Sequence, residues 1–301
     1  HLLRNNTRIG AKRNIQAHYD LGNEFFKLFL DPTLTYSSGI FEPAEVSLQQ
    51  ASEIKLRRFC NKLGLKPGMR VVEIGSGWGS FAILAAREYG CSVVSVTLSE
   101  SQQKEATQRV REQGLQNLVD IQLKDYRDLE GTFDRLVSIE MIEAVGHSRL
   151  PEYFAKCSSL LAPNGAMAIQ AITMPDQVYP EYLRRTDVIR EFLSPGSNCP
   201  SRLAMLNAAT LHSDLRLTHL EEIGAHYATT LYLWRQAFLE HLEDARAMGY
   251  SEPFLRLWHF YLCYCEAGFA ERYIGNVQLV FAKPNFLDRE QSNFNFGETQ
   301  A

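Results

Sequence analysis

Residues 71–80 read VVEIGSGWGS, an apolar run followed by glycines at positions 75, 77 and 79. Glycine lets the backbone adopt left-handed turns and come close to a bulky ligand. In open α/β sheets such a turn joins the first strand to the first helix, and ligands bind beyond the carboxyl ends of the strands. The stretch therefore predicts a buried strand, a tight turn and a ligand-binding edge.

The sequence around this turn alternates between strand-like and helix-like segments. The strand-like runs are MRVVEIG, SVVSVTL, VDIQLKD, FDRLVSIEM and AMAIQAITM within residues 69–174, and NVQLVFAK near the end. Amphipathic windows such as SFAILAAREYG and ESQQKEATQRVREQG separate them. Strands that alternate with helices predict a parallel sheet covered on both faces. We therefore expect an α/β, Rossmann-like fold.

The other segments suggest how the chain is divided. We expect a basic linker or arm over 1–17, one domain over 18–284 and a polar tail over 285–301. Within the domain, 18–68 is predicted to form a helical cap, and 175–274, rich in aromatic residues and leucine, a helical insertion that binds lipid.

Composition excludes several classes of protein. The 301 residues include 31 basic and 35 acidic side chains, so the net charge of −4 gives no general attraction to nucleic acid. No apolar run approaches the roughly 20 residues of a membrane span, and no secretory signal is visible. The six cysteines show no metal-binding or CxxC spacing, which favours reduced thiols in a cytoplasmic protein.

The glycine turn also discriminates between cofactors. No lysine follows the glycines as in a triphosphate-binding loop, and the pattern ExGxGxG is not the dinucleotide GxGxxG. A carboxylate at Glu73 would repel a pyrophosphate but suits a ligand with an ammonium and a sulfonium, such as S-adenosylmethionine. We assign Glu73, Gly75, Ser76, Gly77 and Gly79 to this cofactor. A tight turn that binds nothing is the alternative.

Polar residues follow the next two strands. Thr97 and Gln102 replace the acidic residue that often accepts from the ribose hydroxyls in nucleoside-binding folds. Asp125 is placed to accept from an adenine amino group, and Tyr126 to lie beside the base. Each of these alone is as well explained by an ordinary surface loop. Their position at successive strand ends favours a cofactor site.

The chain resembles the cyclopropane-fatty-acyl-phospholipid synthases. The resemblance rests on HYDLGNEFFKLFLDPTLTYSSGIFE, VVEIGSGWGS, VTLSESQ, LKDYRDLEGTFDRLVSIEMIEAVG, GAHYATTL and YCEAGF, and it runs from about Arg13 to Pro284. It implies a class I methyltransferase that uses S-adenosylmethionine. It also implies methyl transfer to a cis double bond of a phospholipid acyl chain. A carbocation forms and loses a proton to give a cyclopropane, and relatives form methyl-branched products.

The resemblance implies a set of catalytic residues as well. Such enzymes are thought to hold a bicarbonate ion as the base, and the matching positions are Glu143, Tyr227, a backbone donor near Ile172, Ser38 where the family has Cys, and Gln170 where it has His. A glutamine cannot take up a proton as histidine can.

The two departures at Ser38 and Gln170 leave the base open. Glu143 itself, or Glu140 just before it, could then accept the proton. The resemblance further implies that Tyr36 and Ser37 fold over the cofactor.

Three functions compete at this point. The first is a lipid-modifying enzyme in peripheral contact with the membrane; a dimer is kept as an expectation for its oligomeric state. The second is an N-methyltransferase of a small amine, which shares the core but uses a Glu–His pair; Ala144 after Glu143 argues against that pair. The third is a cofactor-binding protein without catalysis, and Glu143 with Tyr227 argues against it.

Overall fold

A single seven-stranded sheet forms the centre of the protein. The structure, a computed structural model, describes residues 21–194 and 196–286. The strands are β1 (Arg70–Ile74), β2 (Ser92–Thr97), β3 (Val119–Leu123), β4 (Phe133–Ile139), β5 (Leu161–Thr173), β6 (Arg216–Glu222) and β7 (Gly275–Ala282). Their order across the sheet is β3-β2-β1-β4-β5-β7-β6.

The first five strands run parallel, as predicted, and β7 pairs antiparallel with both β5 and β6. The chain order reverses between β1 and β4, and a crevice opens at such a point beyond the carboxyl ends of the strands. The predicted Rossmann-like fold is confirmed.

The strand β6 corrects the prediction that 175–274 is helical throughout. Its seven residues RLTHLEE are almost all exposed, because β6 lies at the edge of the sheet and has only β7 as a neighbour. The strand therefore lacks the run of apolar residues that marks the buried strands.

Ten α-helices surround the sheet among the described residues. They are α1 (Asn23–Lys27), α2 (Leu48–Lys62), α3 (Ser80–Tyr89), α4 (Glu100–Glu112), α5 (Leu150–Leu160), α6 (Tyr179–Tyr182), α7 (Arg202–His212), α8 (Gly224–Glu240), α9 (Leu242–Ala247) and α10 (Glu252–Ala270). Side chains of α2, α3 and α4 build the core on one face of the sheet, and those of α5 and α7 build it on the other. Among the described residues, no helix is long and apolar enough to cross a membrane.

A third, aromatic cluster joins the two segments predicted as cap and insertion. Phe25 and Phe26 of α1 pack edge-on against Trp258 of α10, with ring centroids 5.1 and 6.1 Å apart. Phe26 also contacts Trp78 of the glycine turn, at 5.0 Å. The cluster therefore lies against the ligand-binding edge. In contrast, α2, predicted as part of the cap, packs on the sheet. The predicted arm 1–17 and nearly all of the tail 285–301 lie outside the described residues.

Candidate active site

A cavity of about 1100 Å³, measured to its open mouth, lies at the carboxyl ends of β1, β2, β3 and β4. It brings together ten of the eleven residues predicted to bind the cofactor: Tyr36, Ser37, Glu73, Gly75, Ser76, Gly77, Thr97, Gln102, Asp125 and Tyr126. Gly79 is the exception. It precedes α3 with φ 87°, and an added Cβ would lie 3.3 Å from Cβ of Ala106, so Gly79 allows close helix packing rather than ligand contact.

The glycine turn is built for close approach. The amides of Gly75 and Ser76 both donate to the carbonyl of Val96, at 2.9 Å, which draws the turn tightly against β2. Gly75 has φ 96°, and an added Cβ would lie 3.0 Å from Met141 Cγ. Only glycine adopts this conformation in this space without strain.

A buried carboxyl stands just before the turn. Glu73 is 2% exposed, and the hydroxyl of Ser95 donates to its Oε2 at 2.5 Å. Burial raises the pKa of Glu73 to about 8. A cation entering the cavity beside it would favour the charged carboxylate. The residues present therefore fit the ammonium of S-adenosylmethionine, as the sequence predicted.

The residues predicted to bind the nucleoside of the cofactor already form some hydrogen bonds and ion pairs with other side chains. Thr97 donates to Oε1 of Gln102 at 3.0 Å, which leaves the Gln102 amide nitrogen with no partner among the described residues. Asp125 differs from the expectation, because its carboxylate pairs with the guanidinium of Arg127, with the closest contact at 2.5 Å. Asp125 still lines the cavity, but Arg127 orients it.

The most densely bonded side chain of the site is Glu140. Its Oε1 accepts from the backbone amide of Ser38 at 3.1 Å, from Nε2 of Gln170 at 2.7 Å and from Nδ2 of Asn276 at 2.6 Å. Its Oε2 accepts from the hydroxyl of Tyr227 at 2.7 Å. Glu140 follows β4 directly and has φ 47°. A non-glycine residue held in this region costs of order 1–3 kcal/mol and often marks a functional site.

This geometry corrects the arrangement that the resemblance implied. The resemblance implied that these groups and Glu143 hold a bicarbonate ion, whereas Tyr227, Gln170 and the backbone amide of Ser38 donate to the carboxylate of Glu140. The hydroxyl of Ser38 turns away and donates to the carbonyl of Gly39 at 3.0 Å, so it does not face an anion. The amide of Ile172 donates to Oε1 of Glu143 at 2.6 Å.

The second carboxyl, Glu143, lies in a poorer environment. Its Oε2 is buried and has no partner among the described residues. Burial, together with the charge of Glu140, raises the pKa of Glu143 to about 8. Glu140 and Glu143 are only three residues apart, but their carboxyls lie in different environments. Glu140 accepts from four hydrogen-bond donors, and Glu143 accepts from one among the described residues. Such pairs commonly divide the acid and base roles of an active site.

The sequence did not predict the chain of amides that orients this site. Lys62 donates to Oε1 of Gln278 at 2.6 Å, and Nε2 of Gln278 donates to Oε1 of Gln170 at 3.0 Å. Because an ammonium can only donate, Lys62 fixes which end of each amide faces inward, and Gln170 must present its NH₂ group to Glu140. The available signal was the pair Asn276 and Gln278, two buried amides on one face of an otherwise apolar strand.

Aromatic rings surround the carboxylate. Tyr227 stacks on Phe269 with centroids 4.4 Å apart, and Tyr36 stacks on Trp234 at 5.2 Å. The hydroxyls of Tyr36 and Tyr261 are 3.1 Å apart. These rings give the site an aromatic wall on the side of the cap. No cluster of His, Cys, Asp or Glu suited to a metal ion occurs among the described residues.

Comparison with known families gives the same assignment. The model of the family described as mycolic acid cyclopropane synthetase matches residues 6–279. The chain belongs to this family. The predicted relationship is thereby confirmed and, at the level of the family, so are the enzyme class and the cofactor, S-adenosylmethionine.

Individual members of the family support the assignment over most of the chain. The tuberculostearic acid methyltransferase UfaA1 of Mycobacterium tuberculosis is 41% identical over 279 residues, which cover 90% of this chain and 65% of the relative. The cyclopropane-fatty-acyl-phospholipid synthase of Escherichia coli K12 is 38% identical over 273 residues, covering 89% of this chain and 67% of the relative. The chain thus spans about two thirds of the length of these curated relatives.

Solved structures of the family have the same fold. The cyclopropane synthase MmaA2 from Mycobacterium tuberculosis is 32% identical and superimposes with a TM-score of 0.84, covering 90% of this chain and 98% of the other. The synthase CmaA1, complexed with SAH and CTAB, gives a TM-score of 0.85 at 32% identity with the same coverage. Coclaurine N-methyltransferase, at 22% identity and a TM-score of 0.70, shares the fold alone.

Proposed function

We propose that this chain transfers the methyl carbon of S-adenosylmethionine to the cis double bond of an unsaturated fatty acyl chain of a phospholipid. The product is a cyclopropane or methyl-branched acyl chain. The observation that carries the proposal is the carboxylate of Glu140, held by four donors on the wall of the cofactor cavity and beneath an aromatic cap.

Different residues of the cavity bind different parts of the cofactor. Glu73 receives the ammonium of the cofactor, Gly75 and Gly77 let the backbone approach it, and Thr97 with Gln102 face the ribose. When bound, the cofactor supplies an electrophilic methyl carbon. The residues then have to hold the alkene in line, exclude water and remove one proton.

Glu140 is suited to remove that proton. Addition of a methyl cation to a neutral alkene leaves a carbocation on the acyl chain, and neutrality returns when one proton departs. Oε1 of Glu140 already accepts three hydrogen bonds, whereas Oε2 accepts only from Tyr227 among the described residues. Oε2 therefore has a lone pair to spare for the proton.

The carbon that loses the proton decides the product. Loss from the new methyl group with ring closure gives a cyclopropane. Loss without ring closure gives a branched, still unsaturated chain, and a saturated methyl branch then requires a hydride from a separate reductase. Both outcomes need the same base, so Glu140 serves either.

Glu140 also replaces the bicarbonate that the resemblance implied. The donors that would hold a small anion, namely the amide of Ser38, Gln170 and Tyr227, are occupied by a side chain of this chain. A second anion beside Glu140 would meet like charge, and among the described residues these three donors already serve Glu140. We therefore propose that turnover requires no bicarbonate.

The acyl chain is the substrate that the surroundings favour. A neutral hydrocarbon needs an apolar approach, which the aromatic cluster of α1, α8 and α10 provides beside the cavity. Because the lipid lies in a bilayer, we propose peripheral contact with the membrane. The amine alternative is less well supported, since Ala144 occupies the position of the histidine that would pair with Glu143.

The test uses vesicles of a phospholipid with one cis double bond and S-adenosylmethionine labelled in its methyl group. Acyl chains are released as methyl esters and analysed by mass spectrometry. We expect label in esters that are one carbon heavier, and none with matched vesicles of saturated lipid. Label that stays out of the acyl chains, or that enters only an added aromatic amine, would refute the proposal.

A further inference from the structure

The role of one buried cation is not explained by the fold or by the proposed chemistry. Lys55 lies on α2, is fully buried, and lines the cavity together with Ser37 and Glu73. Its Nζ donates to the hydroxyl of Ser37 at 2.6 Å. Among the described residues it has no other hydrogen-bond partner and forms no ion pair. An ammonium has three donors, so two of them lack partners.

Such an arrangement is unfavourable in the free protein. A buried charge is costly unless it is paired and hydrogen-bonded. Burial lowers the pKa of Lys55 to about 8, and the carboxyls of Glu140, Asp31 and Glu73 oppose that shift without touching the ammonium. Ser37, a neutral hydroxyl, does not compensate for the charge. Among the described residues, two donors of Lys55 are therefore left to bind an acceptor beside it.

The cofactor has one anionic group, the carboxylate of its methionyl end. Lys55 stands near Glu73 at the end of β1, whereas Thr97 and Asp125 at the ends of β2 and β3 mark the opposite, nucleoside end of the cavity. An ammonium facing the sulfonium or the amino group would repel the cofactor. If Lys55 faces the carboxylate while Glu73 faces the ammonium, each charge at the amino acid end of the cofactor meets an opposite charge.

We propose that Lys55, with the hydroxyl of Ser37, binds the carboxylate of S-adenosylmethionine. The inference rests on the proposed cofactor site and extends it. Lys55 and Glu73 together then recognise an amino acid zwitterion, with each buried charge facing its opposite. The cavity selects cofactors that carry an intact amino acid end.

Calorimetry without lipid tests this directly. S-adenosylmethionine and its decarboxylated analogue are titrated into the wild type, into Lys55→Met and into Lys66→Met, a control that removes an exposed lysine from the same region. We expect the wild type to bind the cofactor about 10- to 100-fold more tightly than the analogue. Lys55→Met should lose this preference by weakening only the cofactor, and Lys66→Met should keep it.

The other calorimetric results would contradict either the role of Lys55 or the cofactor site itself. A wild type that binds both compounds equally overturns the role of Lys55, and this measurement needs no variant to fold. An equal loss of both compounds in Lys55→Met also overturns it. If neither compound binds the wild type, the proposed cofactor site fails as well. Thermal unfolding of ligand-free Lys55→Met adds a second readout, because removal of an underpaired buried charge should not lower its Tm.

Discussion

Replacement of Glu140 by glutamine tests the proposed base, because it removes the proton acceptor and keeps the hydrogen bonds around it. Glutamine has the same shape, and its Oε1 can still accept from Ser38, Gln170 and Asn276. Its nitrogen then faces Tyr227, whose hydroxyl can rotate and accept. The network therefore survives, while the group that takes the proton is lost.

The expected magnitudes follow from this difference. Hydrogen bonds to a charged acceptor become bonds to a neutral one, but a partly buried charge is removed as well, so we expect the unfolding free energy to change by only about 1 kcal/mol. A positioned general base contributes about 10²- to 10⁴-fold to the rate. Loss of Glu140 should therefore raise the barrier by about 3–5 kcal/mol.

The assay measures labelled methyl groups in acyl esters as a function of time, with cofactor affinity determined separately by calorimetry. We expect Glu140→Gln to bind the cofactor normally and to lose at least about 100-fold in turnover. Glu240→Gln, at an exposed position, serves as the control. If Glu140→Gln retained more than a tenth of the wild-type rate, the assignment of the base would be wrong.

Chemical rescue makes the same prediction sharper. Glu140→Gly removes the side chain and suits the φ of 47°, and it leaves the donors of Ser38, Gln170, Asn276 and Tyr227 facing an open space. Added bicarbonate or formate should restore part of its activity. Neither anion should affect the wild type or Glu140→Gln, in which the space is filled. A wild type that stops when bicarbonate is stripped would refute the reasoning.

Three further predictions concern the surroundings of the base. In Gly75→Ala the backbone must keep φ 96° with the new Cβ 3.0 Å from Met141 Cγ, so calorimetry should show a marked loss of cofactor affinity. The control Gly64→Ala, at φ 56° with no atom near its Cβ, should lose only stability. Lys62→Met removes the donor that orients the amide chain, and steady-state kinetics should show kcat reduced several-fold with unchanged cofactor affinity. The pKa of Glu143 is about 8 in the folded protein, above its usual 4.5, so the folded state binds this proton more tightly than the unfolded state. The contribution of the protonated carboxyl to the free energy of unfolding is therefore lost as the pH rises through 8. In urea unfolding, Glu143→Gln should therefore gain stability relative to the wild type between pH 5 and 9.

The fold was predictable because its main signals are local. The glycine turn at 75–79 and the alternation of apolar strands with amphipathic helices are visible in short windows of sequence. Most of the residues predicted to bind the cofactor followed from topology, because parallel strands present their carboxyl ends at one edge, whereas Tyr36 and Ser37 came only from the resemblance. The edge strand β6 gave no such signal, since most of its side chains face solvent.

The proposed base, Glu140, was harder to predict, because distant segments of the chain assemble its surroundings. Glu140 and Glu143 are equally plausible in the run IEMIEAVG, and spacing does not reveal that Glu140 has a positive φ. The amide chain depends on the register of β5 with β7, which places Gln170 opposite Gln278. That pairing joins residues more than a hundred positions apart, so neither composition nor local periodicity contains it.

The departures at Ser38 and Gln170 are consistent with a single change in how the base is supplied. An anion recruited from solution must be bound at every turnover, whereas a tethered carboxylate is present at high effective concentration. Holding Glu140 at φ 47° costs of order 1–3 kcal/mol, which four hydrogen bonds offset. Because Glu140 needs only a backbone donor at position 38 and a neutral donor at 170, neither a thiol nor an imidazole is required. The activity of this chain should therefore be independent of the bicarbonate concentration.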